Sequence, residues 1–326
     1  MGVSTTLWVI TCVAILGLFV FDFFAHVRVA HEPSFRESAI WSTVYITIAV
    51  LFGFFIWWQW GGEYGGEYFA GYVTEKALSV DNLFVFTVIM ASFAVPRIYQ
   101  QKLLLIGIVM ALVMRAGFIA VGAAAINTFS WVFYLFGAFL IFTALKLARE
   151  SGHEREAEVE RESRLVKFVR RFVPTSDDYD GDKFLTRIDG RRAVTPMMLA
   201  LVAIGFTDLL FALDSIPAIY GLTEEPYIVF TANAFALMGL RQLYFLIGGL
   251  LDRLIYLSAG LAIILGFIGV KLLLHALHKN TLPFINGGNY VDVPEISTGM
   301  SIGVIGVVLF ITTVASLIRT RGRTPA

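Results

Sequence analysis

The sequence predicts an all-α membrane protein, a polytopic transmembrane helical bundle of about nine spans that contains two inverted-topology three-helix repeats. Three observations lead to this prediction. Of the 326 residues, 57% are hydrophobic, whereas soluble domains contain roughly 45–50%. Apolar stretches long enough to cross a bilayer recur along the whole chain. The same polar landmarks appear in the same order in two separate parts of it.

Nine apolar stretches approach the length of about 20 residues that a membrane helix needs. They cover approximately residues 7–27, 40–60, 67–93, 102–126, 128–148, 196–220, 227–251, 253–275 and 299–318. Pro196 suits the first turn of the sixth stretch, because first-turn N–H groups have no helical acceptor. The N-terminus lacks a basic segment and a small-residue cleavage site, so we expect the first stretch to be retained as a span.

The distribution of charge predicts the orientation. The segment Arg149–Thr195 carries 11 basic and 11 acidic residues, and within it Glu150–Arg171 is expected to form a solvated helix. Basic residues also follow the first, third, seventh and ninth stretches, whereas the alternate loops are nearly free of them. Because Lys and Arg concentrate in cytoplasmic loops, we expect the N-terminus outside and the C-terminus in the cytoplasm. The chain has no basic tract, so nucleic acid is not an expected partner.

Two acidic residues in the third stretch have counterparts in the sixth. Glu75 corresponds to Asp208 and Asp81 to Asp214, each pair at an offset of 133 residues. The residue before the first acid is threonine in both copies, and the residue after the second acid is asparagine or serine. This agreement indicates an internal duplication.

Further landmarks extend the duplication to three spans. Arg115 corresponds to Arg241 at an offset of 126, and Lys146 to Lys271 at an offset of 125. Since three is an odd number, the two repeats are predicted to enter the membrane from opposite sides. The two lysines are expected to anchor helix ends.

The predicted organisation therefore has five parts. They are two N-terminal spans (1–66), the first repeat (67–148), a charged cytoplasmic loop (149–195), the second repeat (196–275), and a last part with an extracytoplasmic loop, a final span and a cytoplasmic tail (276–326).

The four repeated acids are costly in a membrane. An ionised side chain at mid-bilayer costs about 2.5–3.5 kcal/mol unless it is paired, protonated or bound to a cation. Helical periodicity places Glu75 and Asn82 on one face, whereas Asp81 lies about 120° round and about 9 Å along. In the sixth stretch, Pro217 leaves the carbonyl of Leu213 without its helical donor.

These residues predict a metal site made of oxygen ligands. Such sites suit Mg²⁺, Ca²⁺ and Mn²⁺, whereas Zn²⁺ and Cu⁺ favour Cys or His. The expected ligands are Glu75, Asp81, Asn82, Asp208, Asp214 and Ser215. Among them Asp81 and Asp214 are expected to face each other across the pseudo-twofold axis and to be the principal ligands.

Other interpretations of the charged residues remain open at this point. The acids could pair with Lys76, Arg115 and Arg241 and only fix helix packing. Arg115 and Arg241 could equally be charge-compensating partners of the acids in the absence of metal. Asp22 and His26, spaced by four residues, suit a local hydrogen-bonded pair.

Specific motifs are spread over most of the chain. They are His31-Glu32 with Ser34-Phe35, Glu75-Lys76-x-Leu78-Ser79-Val80-Asp81-Asn82-Leu83-Phe84, Ala111-Leu112-Val113-Met114-Arg115, Tyr134-Leu135-Phe136-Gly137-Ala138, Gly181-Asp182-Lys183-Phe184, Phe206-Thr207-Asp208-x3-Ala212-x-Asp214-Ser215-Ile216-Pro217-Ala218 and Gly239-Leu240-Arg241-x-Leu243-Tyr244-Phe245. In these motifs the chain resembles the TerC family of integral membrane proteins, including its Alx-type members.

The resemblance implies metal-ion homeostasis in the bacterial inner membrane, with Mn²⁺ efflux as the role of the Alx-type branch and tellurium resistance as the origin of the family name. It also implies that the four acids are metal ligands. Many members carry a further acid three residues before Asp208, where this chain has Gly205. The resemblance therefore implies a site with one carboxylate fewer.

Three functional hypotheses follow. The first is a Mn²⁺ exporter in the lipid bilayer, which protons could drive and which has Mn²⁺ or another divalent cation as its substrate. The second is a transporter of anionic solutes such as tellurite, bound by Arg115 and Arg241. The third is a non-transporting stress-resistance factor that docks a partner through Arg149–Thr195. We expect no enzyme, no catalytic residue and no tightly bound cofactor, and the sequence carries no signal of an oligomeric state.

Overall fold

The computed structural model of the chain describes residues 1–28, 30–129, 131–150, 174–176, 178–188, 191–247, 254–280, 282–283 and 285–320. Within these ranges the chain forms ten α-helices and one β-hairpin. The helices are α1 (Thr5–Asp22), α2 (Phe35–Trp60), α3 (Gly62–Ser92), α4 (Arg97–Thr128), α5 (Val132–Glu150), α6 (Pro196–Tyr220), α7 (Pro226–Leu237), α8 (Leu240–Ile247), α9 (Leu257–His278) and α10 (Thr298–Arg319).

Helices occupy all nine predicted stretches, which confirms a polytopic helical membrane protein. Eight of these stretches are long and apolar enough to cross a membrane, and α7 and α8 together form one of the eight. The ninth, α3, has 31 residues. It exceeds the charge content expected of a span because Glu63, Glu67, Glu75, Lys76 and Asp81 all lie on it.

Hydroxyl side chains start four of the helices. Ser4, Ser34, Thr195 and Ser297 are the N-caps of α1, α2, α6 and α10, and each accepts a hydrogen bond from a backbone N–H in the first turn. Such caps satisfy a donor that has no acceptor within the helix.

The seventh predicted span is divided in two. Its break lies at Met238 and at Gly239, which has a φ of +78°.

The helix contacts follow the pattern that a twofold relation between the repeats would produce. Helix α3 of the first repeat packs on α7 of the second repeat. In the same way, α6, the counterpart of α3, packs on α4, the counterpart of α7. Helix α5 packs along its own counterpart α9. At that crossing, a Cβ added to Gly137 would lie 2.9 Å from the carbonyl oxygen of Gly269, and a Cβ added to Gly269 would lie 3.0 Å from the carbonyl oxygen of Gly137. Small residues therefore allow the close approach of these two helices.

The first helices of the two repeats, α3 and α6, run antiparallel against each other. Thr223, just beyond the end of α6, donates to Glu67 Oε2 at 2.6 Å. A Cβ added to Gly71 would lie 3.0 Å from Ile219 Cδ1. Further along, one nitrogen of Arg115 reaches both Glu75 and Ser215. Residue numbers rise on α3 as they fall on α6, so the predicted inversion brings the two acidic helices face to face.

Part of the predicted charged loop packs against the helix ends. Strands β1 (Leu185–Ile188) and β2 (Arg191–Val194) form an antiparallel hairpin before α6. The hydroxyl of Tyr179 donates to the carbonyl of Phe93 at 2.8 Å, and Lys102 lies 2.6 Å from Asp182. The helix predicted over Glu150–Arg171 lies almost wholly outside the described residues.

Candidate functional site

Arg115 joins acidic residues from both repeats. Its Nη1 donates to Glu75 Oε2 at 2.9 Å on α3, while Nη2 and Nε donate to the two oxygens of Asp208 on α6, at 3.0 and 3.2 Å. Nη1 also lies 3.3 Å from Ser215 Oγ. All three charged residues are 1% exposed. We call Glu75, Arg115, Asp208 and Ser215 the central site.

The central site has more negative than positive charge. Two carboxylates face one guanidinium, so the fully ionised group carries one net negative charge. Burying such a charge is costly unless further groups stabilise it. The arrangement therefore favours the entry of a cation over that of an anion.

Polar atoms around Glu75 have no hydrogen-bond partner among the described residues. They include Ser79 Oγ and the amide oxygen of Asn233, whose side chain lies beside the Glu75 carboxyl. Buried polar atoms in proteins are nearly always paired with protein or ordered water. Unpaired oxygens beside a carboxylate indicate a place for a polar ligand.

Asp81 and Asp214 do not face each other, contrary to the sequence-based expectation. Asp81 accepts a hydrogen bond from Ser258 on α9 at 3.3 Å, and Asp214 accepts one from Thr143 on α5 at 3.1 Å. The cause is helical periodicity, which turns both residues away from the face where α3 meets α6. Asn82 is buried on α3.

Arg241 lies away from the central site and binds a different acid. Its Nη2 donates to Asp22 Oδ1 at 2.8 Å, and its Nη1 donates to the side-chain oxygen of Gln101. Tyr45 and Gln242 also donate to Asp22 Oδ1, at 2.7 and 3.0 Å. We call Asp22, Tyr45, Gln101, Arg241 and Gln242 the second cluster. The interpretation that Arg241 compensates the repeated acids is therefore wrong.

Asp22 also lies near His26, as the sequence suggested. The distance between His26 Nδ1 and Asp22 Oδ1 is 3.2 Å. The sequence did not connect this pair with Arg241, because α1 lies outside the repeats. A lone acid in an otherwise apolar first span was the available signal.

Lys76 has a role that its sequence neighbourhood did not reveal. Its Nζ donates to the carbonyl of Ala236 at 3.0 Å and to that of Met238 at 3.4 Å. These carbonyls end α7, where the break leaves them without helical donors. Lys76 therefore caps the broken end of α7 from the residue next to Glu75.

A methionine fills the space at Gly205, the position where the family resemblance implied a further acid. A Cβ added there would overlap with Met110 Cε, the end of a flexible side chain. Among the described residues, no three His, Cys, Asp or Glu side chains are grouped so that they could hold a metal ion. At the central site, Arg115 already binds both carboxylates, Glu75 and Asp208.

The sequence matches the profile of the integral membrane protein TerC family over residues 60–324. The chain belongs to the TerC family. The matched region of this TerC protein contains the whole central site, whereas Asp22 and the rest of α1 lie before it.

Relatives of this TerC protein cover nearly its full length. It is 55% identical over 324 residues to the "Uncharacterized membrane protein Rv2723" of Mycobacterium tuberculosis, covering 99% of this chain and 82% of the relative. It is 38% identical to the "Uncharacterized membrane protein STKORF319" of Myxococcus xanthus, covering 98% of this chain and 94% of the relative. It is 37% identical to the "Putative membrane-bound redox modulator Alx" of Escherichia coli, covering 87% and 85%. No solved structure matches this chain.

Proposed function

We propose that this TerC protein is a secondary transporter that exports a divalent cation, Mn²⁺, across the bacterial inner membrane. The observation that carries the proposal is the central site, where two buried carboxylates from inverted repeats share one arginine. In transporters built from inverted repeats, substrates bind near mid-membrane at the interface between the repeats. This proposal makes the chain a carrier and not an enzyme.

Arg115 acts in this proposal as an internal substitute for the cation. Its guanidinium stabilises Glu75 and Asp208 when no metal is bound. A Mn²⁺ ion would displace it and bind the carboxylate oxygens together with Ser215 and Asn233, all of them oxygen ligands that suit Mn²⁺. With no metal bound, Arg115 thus compensates one of the two carboxylate charges.

The direction and energy source complete the proposal. The bias of basic loops supports an outer N-terminus and a cytoplasmic C-terminus. Protons entering from outside would replace the metal after its release, because a carboxylate without its cation is stabilised by protonation in an apolar environment. The arginines do not support transport of anions, since Arg115 and Arg241 are both already paired with carboxylates.

The test compares two double variants in cells exposed to Mn²⁺. Glu75→Gln with Asp208→Asn removes the central carboxylates, whereas Asp81→Asn with Asp214→Asn removes the two acids outside that site. We expect the first pair to abolish the reduction of cellular Mn²⁺ seen with wild type, and the second to retain at least part of it. Wild-type export by the Glu75/Asp208 variant, with equal protein in the membrane, would refute the proposal.

A further inference from the structure

The hairpin of β1 and β2 is held at the start of two membrane helices. Thr195, the N-cap of α6, donates its hydroxyl to the carbonyl of Lys183 at 2.7 Å and its backbone N–H to the carbonyl of Phe184 at 3.1 Å. Near the start of α4, Lys102 Nζ lies 5.6 Å from the centre of the Phe184 ring. Both α4 and α6 are long and apolar enough to cross a membrane. The base of the hairpin therefore lies at the boundary of the bilayer.

One face of the hairpin places two arginines directly opposite each other. In the register of the sheet Arg187 faces Arg192, and both side chains are exposed. Opposite residues of an antiparallel pair lie on the same face with Cβ atoms about 4.5–5.5 Å apart, where like charges are destabilising. Neither arginine pairs with a carboxylate in the part of the chain that the structure describes. An anion between the two guanidinium groups would remove their repulsion.

The arginines border a cavity of about 390 Å³ with a positive charge. The acid in its lining is already engaged, because Asp180 binds Lys183 Nζ with both oxygens at 3.1 Å and accepts from Thr186 at 2.9 Å. Three basic residues and one acid leave two net positive charges. Forked guanidinium groups suit a phosphate in particular. The lining residues are Asp180, Lys183, Leu185, Thr186, Arg187 and Arg192.

An exposed leucine lies on the same face, between the arginines and the membrane helix. Leu185 is 51% exposed, and it faces Val194 in the pair of residues nearest to α6. The arginine pair follows two residues further along the hairpin, a distance of about 6–7 Å in a strand. The headgroup layer on each side of a bilayer is about 5–8 Å thick. The face thus presents an apolar group and then a phosphate-binding pair, in the order and spacing of a lipid acyl chain and its headgroup.

We propose that this face of the hairpin binds the headgroup phosphate of an anionic phospholipid, with Arg187 and Arg192 on the phosphate and Leu185 against the acyl chains. The net positive charge of the cavity favours anionic over zwitterionic lipids. The exposed leucine at the membrane boundary favours a lipid over a soluble phosphate compound. In the orientation proposed above, the lipid belongs to the cytoplasmic leaflet. The inference is independent of the cation that the protein transports.

The experiment compares hydrogen exchange of the hairpin amides in the full-length protein, in nanodiscs of phosphatidylglycerol or of phosphatidylcholine. In wild type, exchange should be about threefold or more slower in phosphatidylglycerol, because a bound lipid stabilises the ordered hairpin. Arg187→Gln with Arg192→Gln should abolish this difference, and Leu185→Ser should reduce it. The matched control is Arg36→Gln with Arg319→Gln, which removes two exposed arginines from the ends of α2 and α10 and should preserve it.

Three outcomes would overturn the proposal. If the control pair also loses the difference, or the hairpin pair keeps it, general surface charge is responsible. If inorganic phosphate slows exchange in phosphatidylcholine as much as phosphatidylglycerol does, the ligand is free phosphate. If the hairpin is equally protected in both lipids and loses protection only without its arginines, they bind the acidic residues of this chain's own segment Glu150–Arg171.

Native mass spectrometry of the detergent-solubilised protein gives a second measurement. The affinity for the most tightly bound phosphatidylglycerol should fall by about tenfold or more when both hairpin arginines are replaced, since each basic residue near a lipid surface contributes to binding. The control pair should keep the wild-type affinity. Equal affinity in the hairpin variant and in wild type would refute the lipid site even if the hairpin variant exchanged faster.

Discussion

Arg115 and Asp208 form a two-pronged ion pair, with Nη2–Oδ1 and Nε–Oδ2 distances of 3.0 and 3.2 Å. A lysine offers one compact charge and cannot reproduce this parallel geometry. The pair joins the second helix of one repeat to the first helix of the other. Its disruption should therefore affect both stability and metal binding.

We first predict that Arg115→Gln makes the protein dependent on metal for stability. Without the guanidinium, Glu75 and Asp208 are buried and uncompensated, so the variant should lose about 3–5 kcal/mol of unfolding free energy. Mn²⁺ should restore much of this loss by binding the folded state. Thermal melting in detergent with and without Mn²⁺ measures both effects. A variant as stable as wild type without metal would contradict the prediction.

The second prediction concerns the cap that Lys76 provides. Lys76→Met leaves the carbonyls of Ala236 and Met238 without their donor and should destabilise the protein by about 1–3 kcal/mol. The matched control is Lys271→Met, which removes a lysine from α9. Hydrogen exchange in α7 should rise in the first variant and stay unchanged in the second. Equal exchange in both would show that the cap is unimportant.

A third prediction concerns Gly239. Its φ of +78° and the 3.1 Å distance from an added Cβ to Tyr45 Cβ both oppose a side chain. Gly239→Ala should therefore cost about 1 kcal/mol or more of unfolding free energy. Gly117, with nothing within 4 Å of an added Cβ, provides the comparison. Gly117→Ala, on the exposed surface of α4, should be neutral or stabilising. If Gly239→Ala were also neutral, the backbone at position 239 would not be strained by a side chain.

The fourth prediction is a pH dependence at the junction of α6, α7 and α9. A hydrogen bond with His275, followed by contact with Lys279, lowers the pKa of Glu224 to about 2 from an ordinary value of 4.5. Because the folded-state pKa is lowered, the stabilisation is present above pH 4.5 and is lost as the pH falls towards 2. The Glu224 side chain is 44% exposed, so the effect should stay below about 1 kcal/mol.

Melting temperatures between pH 2.5 and 6 check this dependence. Glu224→Gln should melt below wild type near pH 6, and the difference should shrink as the pH falls. Glu295→Gln is a suitable control, since the side chain of Glu295 is 64% exposed and pairs with His278 at a longer distance of 3.4 Å. A difference that grows on acidification would be inconsistent with the lowered pKa.

Much of the fold could be predicted from sequence because lipid imposes simple requirements. Apolar length fixes where helices lie, and every predicted stretch contains one. The duplication also identified Glu75 and Asp208 as a pair. Equivalent residues on the first helices of two inverted repeats lie near the point where these helices cross. The structure places these two acids on the same arginine.

The details that sequence did not reveal depend on contacts between distant elements. Asp81 and Asp214 are acids of the same repeat motif, yet their neighbours on α9 and α5 are set by helix packing that periodicity alone does not specify. The partner of Arg241 comes from α1, which has no counterpart in the repeats. The glycine at 239, opposite Val113 in the other repeat, was the one local signal of the break.

The adjacency of Glu75 and Lys76 has a mechanical consequence. Glu75 is one of the two carboxylates bound to Arg115, and the neighbouring Lys76 donates a hydrogen bond to a carbonyl at the end of α7. Any sliding or rotation of α3 that changes the reach of Glu75 must also pull on α7 through Lys76. A change in the ligand of Glu75 is therefore transmitted through α3 and Lys76 to the break between α7 and α8 at Gly239.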